Sequence, residues 1–417
     1  MSARTKHLEA TRRRVLVGVA GAGAQWLVGC TLRGFGESAG DDGDAPRAPG
    51  EGTSAPRGEP VCVDAVRGGT LLSVLPFVDE GDLPFDTPTG QGLDGRLYTD
   101  LARLEYGART VDNDRFYIRT RYPDRLDPSK AWEIRVRGLV SAPATFDLDS
   151  VTRDARPMGA VLLECSGNSR GGHFGLLSAA EWGGAPLLPW LRDRVSFAPG
   201  ATRVLVSGFD DHSLPSARSV AGASWVFTFA QLEAAGAFLA TTMNGAPLPR
   251  DHGAPVRLVV PGWYGCTNIK WVDEIALVGD DEPSTLHMRE FASRTHQSGT
   301  PALARDFLAA SIDQAAMPVR VEKWRLPDGV RYRVVGIMWG GDRPLDRLRL
   351  RVGDAAPEEV HVCPAPATNR TWTWWSHVIA PRPAGRAALT LEVPDEAVRT
   401  RRLDSRFYAR EVTFDGA

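Results

Sequence analysis

The chain is poor in cysteine, with five among 417 residues, and none sits in a CxxC pair or near histidines at zinc spacing. Nothing in that set supports a zinc finger or an iron–sulfur cluster. Without a CxxCH the chain attaches no c-type haem of its own. Thiols at positions 30, 62, 165, 266 and 363 are also too few for a disulfide framework. At most one bridge, among Cys62, Cys266 and Cys363, fits the set. An excess of charge of one sign is equally absent: 49 Lys and Arg against 51 Asp and Glu leave a formal net charge of −2. That balance gives no basic footprint for nucleic acid, so no nucleic-acid partner is expected. No repeat with a period of 20–50 residues is visible. What the chain has in quantity is glycine and proline, 43 and 30 residues spread along its length. They favour many turns, and therefore strands over long helices.

Residues 1–30 read as an address. Arg12-Arg13-Arg14 followed by an apolar run from Val15 to Gly29 fits a twin-arginine export signal, and that run is too short to span a bilayer comfortably. The run ends in Leu27-Val28-Gly29-Cys30, which resembles a bacterial lipobox. The expectation is an exported protein, periplasmic or at the cell surface, lipid-anchored to the membrane at Cys30. Residues 31–60, rich in Gly, Pro, Asp and Glu, read as a linker that cannot bury enough apolar surface to order itself.

Residues 61–300 mix short apolar strands with turns. Trp132, Ile134 and Val136 alternate with Glu133, Arg135 and Arg137, which predicts a strand with one buried face. Further strands are expected over 158–165, 203–206, 238–243, 256–260 and 269–278, with short helices over 187–191 and 229–235. From residue 301 to 417 the texture becomes nearly pure alternation, as in Val330, Tyr332, Val334 and in Leu348, Leu350, Val352. That predicts a two-sheet β-sandwich of immunoglobulin-like proportions. The fold class expected is α+β, mainly β, with residues 280–317 connecting the two domains and covering the mouth of the first.

One stretch organises the middle of the chain: Val161-Leu162-Leu163-Glu164-Cys165-Ser166-Gly167-Asn168-Ser169-Arg170-Gly171-Gly172. A β-prone run delivers a lone thiol to a glycine-rich loop. Cys165 is either a small buried hydrophobe or a metal ligand or nucleophile. Other clusters surround it in sequence. Asp114 to Arg121 carries Arg119 and Arg121 on one side of an extended segment. A polar turn, Gly208 to Ser213, contains Asp210. Asn244 to Arg257 includes His252, and Val260 to Trp271 ends in Lys270. Guanidinium and ammonium groups meet oxyanions through charge-assisted hydrogen bonds, and thiolate is the soft ligand a transition metal takes.

On these residues the chain resembles the sulfite oxidase family of molybdenum enzymes over about residues 100–417. The resemblance lies in Glu164–Asn168, in Ala179–Leu187 and in the run from Met243 to Trp271. It implies a domain binding one molybdenum–molybdopterin per chain, followed by an immunoglobulin-like dimerisation domain, hence a homodimer. Cys165 then matches the metal ligand, with Arg119 and Arg170 beside the substrate. Tyr117, Ile118, Arg119, Thr120 and Arg121 occupy the place of the family's Arg-Asn-His motif, although Thr120 and Arg121 replace its asparagine and histidine. Asp210, His252, Arg257, Asn268, Ile269 and Lys270 fall on cofactor-contacting positions. The resemblance further implies oxygen-atom transfer on a small sulfur oxyanion, with electrons passing to an external carrier such as cytochrome c or a quinone-linked protein. The family's pocket tyrosine is missing from Met288 to His296, which leaves Arg294 or His296 in its stead and keeps a sulfoxide-reducing reaction, or a metal-free binding module of the same fold, as alternatives.

Overall fold

Ile134 and Val136 are buried while Glu133 and Arg135 face solvent, and this alternation seats strand Glu133–Gly138 in a five-stranded sheet. In order across that sheet run Ser224–Thr228, Arg203–Gly208, Val272–Val278, Glu133–Gly138 and Ala144–Asp147. All neighbours are antiparallel except Val272–Val278 against Glu133–Gly138. The computed structural model describes residues 66–415 apart from 215, 217, 218 and 380–382. The export signal, the Cys30 lipobox, the linker and Cys62 lie outside the described residues. The described residues belong to one compact unit, Glu59–Ala417.

A second sheet carries the thiol. Strand Arg156–Glu164 pairs antiparallel with Leu177–Pro186, which pairs in turn with Phe238–Met243. Asn244 and Gly245, both at positive φ, then turn the chain back into Ala246–Pro247, as an Asn-Gly hairpin requires. Short helices Leu187–Arg192 and Phe229–Ala235 lie close to where the apolar spacing puts them. The second of these is fixed by a capping box between Thr228 and Gln231.

The alternating C-terminal third forms two five-stranded sheets. In one the order is Thr70–Leu75, Ala315–Leu326, Gly329–Trp339, Thr373–Ile379 and His361–Val362. In the other it is Glu358–Glu359, Arg349–Val352, Gly385–Glu392, Arg410–Phe414 and Phe77–Val78. Tyr332 of the first meets Phe414 of the second edge-on, ring centres 5.0 Å apart, so apolar faces of the two sheets touch. Residues 70–78, expected within the first domain, instead supply an edge strand to each of these sheets. Local pattern could not reveal this, because the partners lie more than two hundred residues downstream. Burial fixes the joint. Arg410 and Glu80, 5% and 4% exposed, pair through Arg410 Nε and Glu80 Oε1 at 2.7 Å, and the Arg410 guanidinium lies 3.7 Å from the Phe77 ring centre.

Cys363 is disulfide-bonded to a partner outside the described residues, while Cys165 and Cys266 are free. Cys266 therefore leaves the set of bridge candidates. Among the described residues no helix is long and apolar enough to cross a membrane.

Candidate active site

Strand Arg156–Glu164 is buried along its second half, and Cys165 leaves its end 4% exposed. The thiol loop is fixed by main-chain bonds: Cys165 N–H donates to Leu176 O at 3.0 Å, and Asn168 N–H donates to Cys165 O at 2.8 Å. The Asn168 side chain accepts from Leu176 N–H at 3.1 Å, and Gly167 N–H points at Cys165 Sγ from 3.4 Å. The sulfur opens on a cleft of about 760 Å³, open solvent included. Of the residues singled out in the sequence, Tyr117, Arg119, Thr120, Asp210, His252, Arg257, Asn268, Ile269 and Lys270 line it together with Cys165.

Each of these has a definite state. His252 is buried and donates Nε2–H to Asn113 O at 2.9 Å; burial pulls its pKa down to about 3, so the ring is neutral. Arg257 donates to His252 O and Asn268 O at 2.9 and 3.1 Å, and burial lowers it to about 10. Lys270 donates to Asp251 O at 2.8 Å and to Thr120 O, and lies 4.6 Å from the Trp271 ring centre. Asn268 turns its amide inward, accepting from Val260 N–H at 2.7 Å and donating to Tyr264 O at 3.0 Å, so it shapes the loop while its surface meets the cleft. Burial pushes the Asp210 carboxyl up, but His212 and the Ala223 and Gly222 amides outweigh it and hold it below the usual range. Burial also raises the Tyr117 phenol well above its ordinary value and the Cys266 thiol to about 12, so both keep their protons.

Three expected residues lie elsewhere. Ile118 is buried in a two-stranded ribbon, paired with Leu97. Arg121 was expected beside Arg119 on one side of an extended segment. Thr120 adopts φ +73, which breaks the alternation, and Arg121 pairs instead with Asp251 at 3.1 Å. Arg170 is the third correction. It opens the short helical turn Arg170–Gly172, and its guanidinium donates to Ala409 O at 2.6 Å and faces Glu411 at 3.7 Å, away from the cleft.

Other cations approach the thiol instead. Arg96 is the register partner of Arg119 in the ribbon, and both donate to Leu93 O at 2.9 Å. Burial and the neighbouring Arg119 pull Arg96 down to about 10, so it remains cationic at neutral pH. Arg294 lies against the thiol loop: a methyl group on Gly167 would stand 3.7 Å from Arg294 Nη1 and 3.8 Å from Cys165 Sγ. His296 turns away, with Nε2 3.3 Å from the Tyr264 hydroxyl. His287 and Phe291 join the cleft from the 280–317 connection, as expected of a covering segment. Arg96 gave no signal in the sequence, since it sits in a short ribbon with no recognisable motif.

The cleft is built to receive a polar, anionic group. Arg257 Nε and His212 Nδ1 are buried without a hydrogen-bond partner among the described residues, while His212 Nε2 pairs with Asp210 Oδ1 at 2.6 Å. Gly253, at φ +110, lets the main chain pass close beneath the two cations, since a Cβ would stand 3.0 and 3.1 Å from the Arg257 and Lys270 side chains. These features fit a phosphate-bearing cofactor. Among the described residues no three His, Cys, Asp or Glu converge to hold a metal, so a metal at Cys165 would need further ligands from a bound group.

Lys270 gives this fit a measurable signature. Burial, and next Arg257, pull its pKa from 10.5 to about 7. Between those values the unfolded chain binds the extra proton, so this group's contribution to stability rises with pH across the window and is least favourable below it. A phosphate bound beside the ammonium would favour its charged form and raise the pKa again. Calorimetry in buffers of different ionisation heat should therefore show proton uptake when inorganic pyrophosphate binds the cofactor-free chain near pH 8, and little near pH 6. Lys270→Met should remove the uptake.

The family described as "Oxidoreductase molybdopterin binding domain" matches residues 120–286. Chicken sulfite oxidase (Gallus gallus) is 30% identical over 63% of this chain and 61% of its own length; mitochondrial sulfite oxidase of Mus musculus is 28% identical over 63% and 51%. The chain spans about half the length of the mouse, macaque and fruit-fly sulfite oxidases it matches. Among solved structures, the sulfane dehydrogenase SoxCD of Paracoccus pantotrophus superposes with a TM-score of 0.59 over 79% of this chain and 89% of that one, at 18% identity, and so shares the fold. The cleft thus belongs to a molybdopterin-binding oxidoreductase domain. Over the matched residues the chain is similar to the sulfite oxidases, and residues 120–286 carry the molybdopterin-binding signature.

Proposed function

We propose that the chain is a molybdenum-dependent oxidoreductase that transfers an oxygen atom on a small sulfur compound. The observation that carries this reading is the shared cleft, in which the Cys165 thiol stands among Arg119, Arg257 and Lys270, while the second free thiol of the lining, Cys266, is held protonated by burial. Cys165 would ligate the metal, and Arg257, Lys270, Asp210 and His212 would hold the pterin and its phosphate. The bound group supplies two-electron oxygen-atom chemistry. The chain supplies position and charge. Arg119 and Arg96 attract and orient an anion, while neutral His252 keeps Arg257 placed through its carbonyl. Neither Tyr117 nor Cys266 releases a proton at neutral pH. Arg96 and Arg119 have no carboxylate within 4.0 Å among the described residues, and that uncompensated pair favours an anionic sulfur substrate over a neutral sulfoxide.

The two five-stranded C-terminal sheets serve, in this reading, as the immunoglobulin-like domain through which two chains associate. Electrons leave to an external carrier, a cytochrome c or a quinone-linked protein. The disulfide at Cys363 supports an oxidising compartment, in keeping with export by the twin-arginine signal and anchoring at Cys30.

Metal analysis should find about one molybdenum per chain in native protein. Sulfite should then reduce ferricyanide or cytochrome c in its presence, whereas methionine sulfoxide should consume little reduced dye. Molybdenum-free protein from an export-competent host would overturn the proposal, and a preference for the sulfoxide would reverse the direction of the reaction.

A further inference from the structure

Glu164, the residue before the thiol, is a wholly buried carboxylate that does not line the cleft. Burying such a charge is costly unless donors surround it. Four do. Tyr408 Oη donates to Oε1 at 2.7 Å and Trp339 Nε1 to Oε2 at 2.9 Å, while Arg402 Nη1 and Asn168 Nδ2 approach Oε1 at 3.4 and 3.5 Å. Three of the four come from the C-terminal part of the chain, 175, 244 and 238 residues away in sequence.

Arg402 holds the other side of the thiol as well. Its Nη2 donates to Ser166 O at 2.8 Å and to Arg294 O at 3.2 Å, and its guanidinium stacks on Tyr264 and Phe407 at 4.5 and 4.8 Å. The residues before and after Cys165 are thus gripped by one arginine. Tyr264 packs on that arginine and leads into Gly265, where a Cβ would stand 3.2 Å from Glu164 O and 3.4 Å from Cys165 Cα. The thiol loop has little freedom on any side. Glu164, Trp339, Arg402 and Tyr408 do not line the cleft, and the network reaches it only through the thiol loop, Gly265 and the Arg294 carbonyl, so contact with a bound cofactor does not account for these four side chains.

We propose that Glu164 is a positioning residue, through which Trp339, Arg402 and Tyr408 of the C-terminal part fix the direction of the Cys165 sulfur. The inference rests on Cys165 being the metal ligand. A carboxylate suits the task because it accepts from all four donors at once, which an amide cannot do without turning an N–H toward another donor. The C-terminal sheets then bear on the chemistry itself, in addition to any role in association.

The test uses the cofactor-loaded full chain and its Glu164→Gln, Glu164→Asp and Tyr408→Phe variants. Glu164→Gln should keep its molybdenum, shift the thiolate-to-metal charge-transfer band and lower kcat about tenfold with KM within about twofold. Tyr408→Phe removes one donor and leaves the packing, so it should shift the band in the same direction by less, which keeps the inference testable if Glu164→Gln fails to fold. Glu164→Asp should restore part of the wild-type band. In cofactor-free protein, iodoacetamide should alkylate Cys165 faster in Glu164→Gln than in wild type, since the loop is no longer held. A wild-type band, kcat and alkylation rate in both Glu164→Gln and Tyr408→Phe would overturn the inference. Cys165→Ser separates it from the ligand assignment: if that variant keeps the band, the assignment itself fails; if it loses the band while both network variants keep theirs, only the positioning role fails.

Discussion

Cys165→Ser removes turnover, by more than about a hundredfold, while the chain still folds. The thiol is the one free sulfur at the end of the buried strand Arg156–Glu164, and its loop is held by Leu176 O, Asn168 and Arg402 through groups other than the sulfur. A hydroxyl is nearly the same size, so the loop keeps its shape. Burying it in place of sulfur costs about 1–3 kcal/mol, small against the whole stability of a domain. What is lost, on the function proposed above, is a soft ligand that oxygen cannot replace. Sulfite-dependent ferricyanide reduction, followed beside metal content and a thermal melt, checks all three parts. Full activity in a folded variant would mean that the metal is held elsewhere.

Arg410→Met destabilises the fold by about 3–5 kcal/mol, because it leaves Glu80 buried with only the His173 ring, 3.4 Å away, in place of a bidentate guanidinium. Arg410 donates through Nε and Nη2 to the two Glu80 oxygens and through Nη1 to Pro318 O at 3.1 Å, with Phe77 beneath its guanidinium. Burial lowers the Arg410 pKa, and Glu80 is what keeps the charge in place. The pair fastens the strand ending in Val78 to strand Arg410–Phe414. Replacing both partners by apolar residues should recover much of the loss, since no lone charge remains. Urea unfolding of the single and double variants measures the difference. A single variant as stable as wild type would show that Glu80 finds another partner or takes a proton.

The sequence made some of this legible and some not, for identifiable reasons. Strand Phe238–Met243 and its Asn-Gly turn are local signals, and they appear where expected. So do the alternating strands of the C-terminal third, because one face of each is buried. Strand Leu177–Pro186 carries no such signal: Leu177, Ser178, Ala179, Ala180 and Ala185 are all buried, so neighbouring positions do not alternate. In the cleft, ten of the thirteen residues named from sequence come together. Arg121 and Arg170 were misplaced by single backbone events, a positive φ at Thr120 and a helical turn at Arg170, that no spacing argument reports. Arg96 was missed because its significance arises only when a ribbon sets it opposite Arg119.

The grip on Glu164 also imposes a schedule on synthesis. Arg402 emerges 238 residues after the carboxylate it helps to neutralise, about 10–50 seconds later at ordinary rates of elongation. During that interval the strand that presents Cys165 already exists, yet its flanking charge has neither Trp339 nor Tyr408 to receive it. The contacts that fix the thiol loop are complete only after Tyr408 has been made, so an interrupted chain yields the strand that presents Cys165 without the network that holds it.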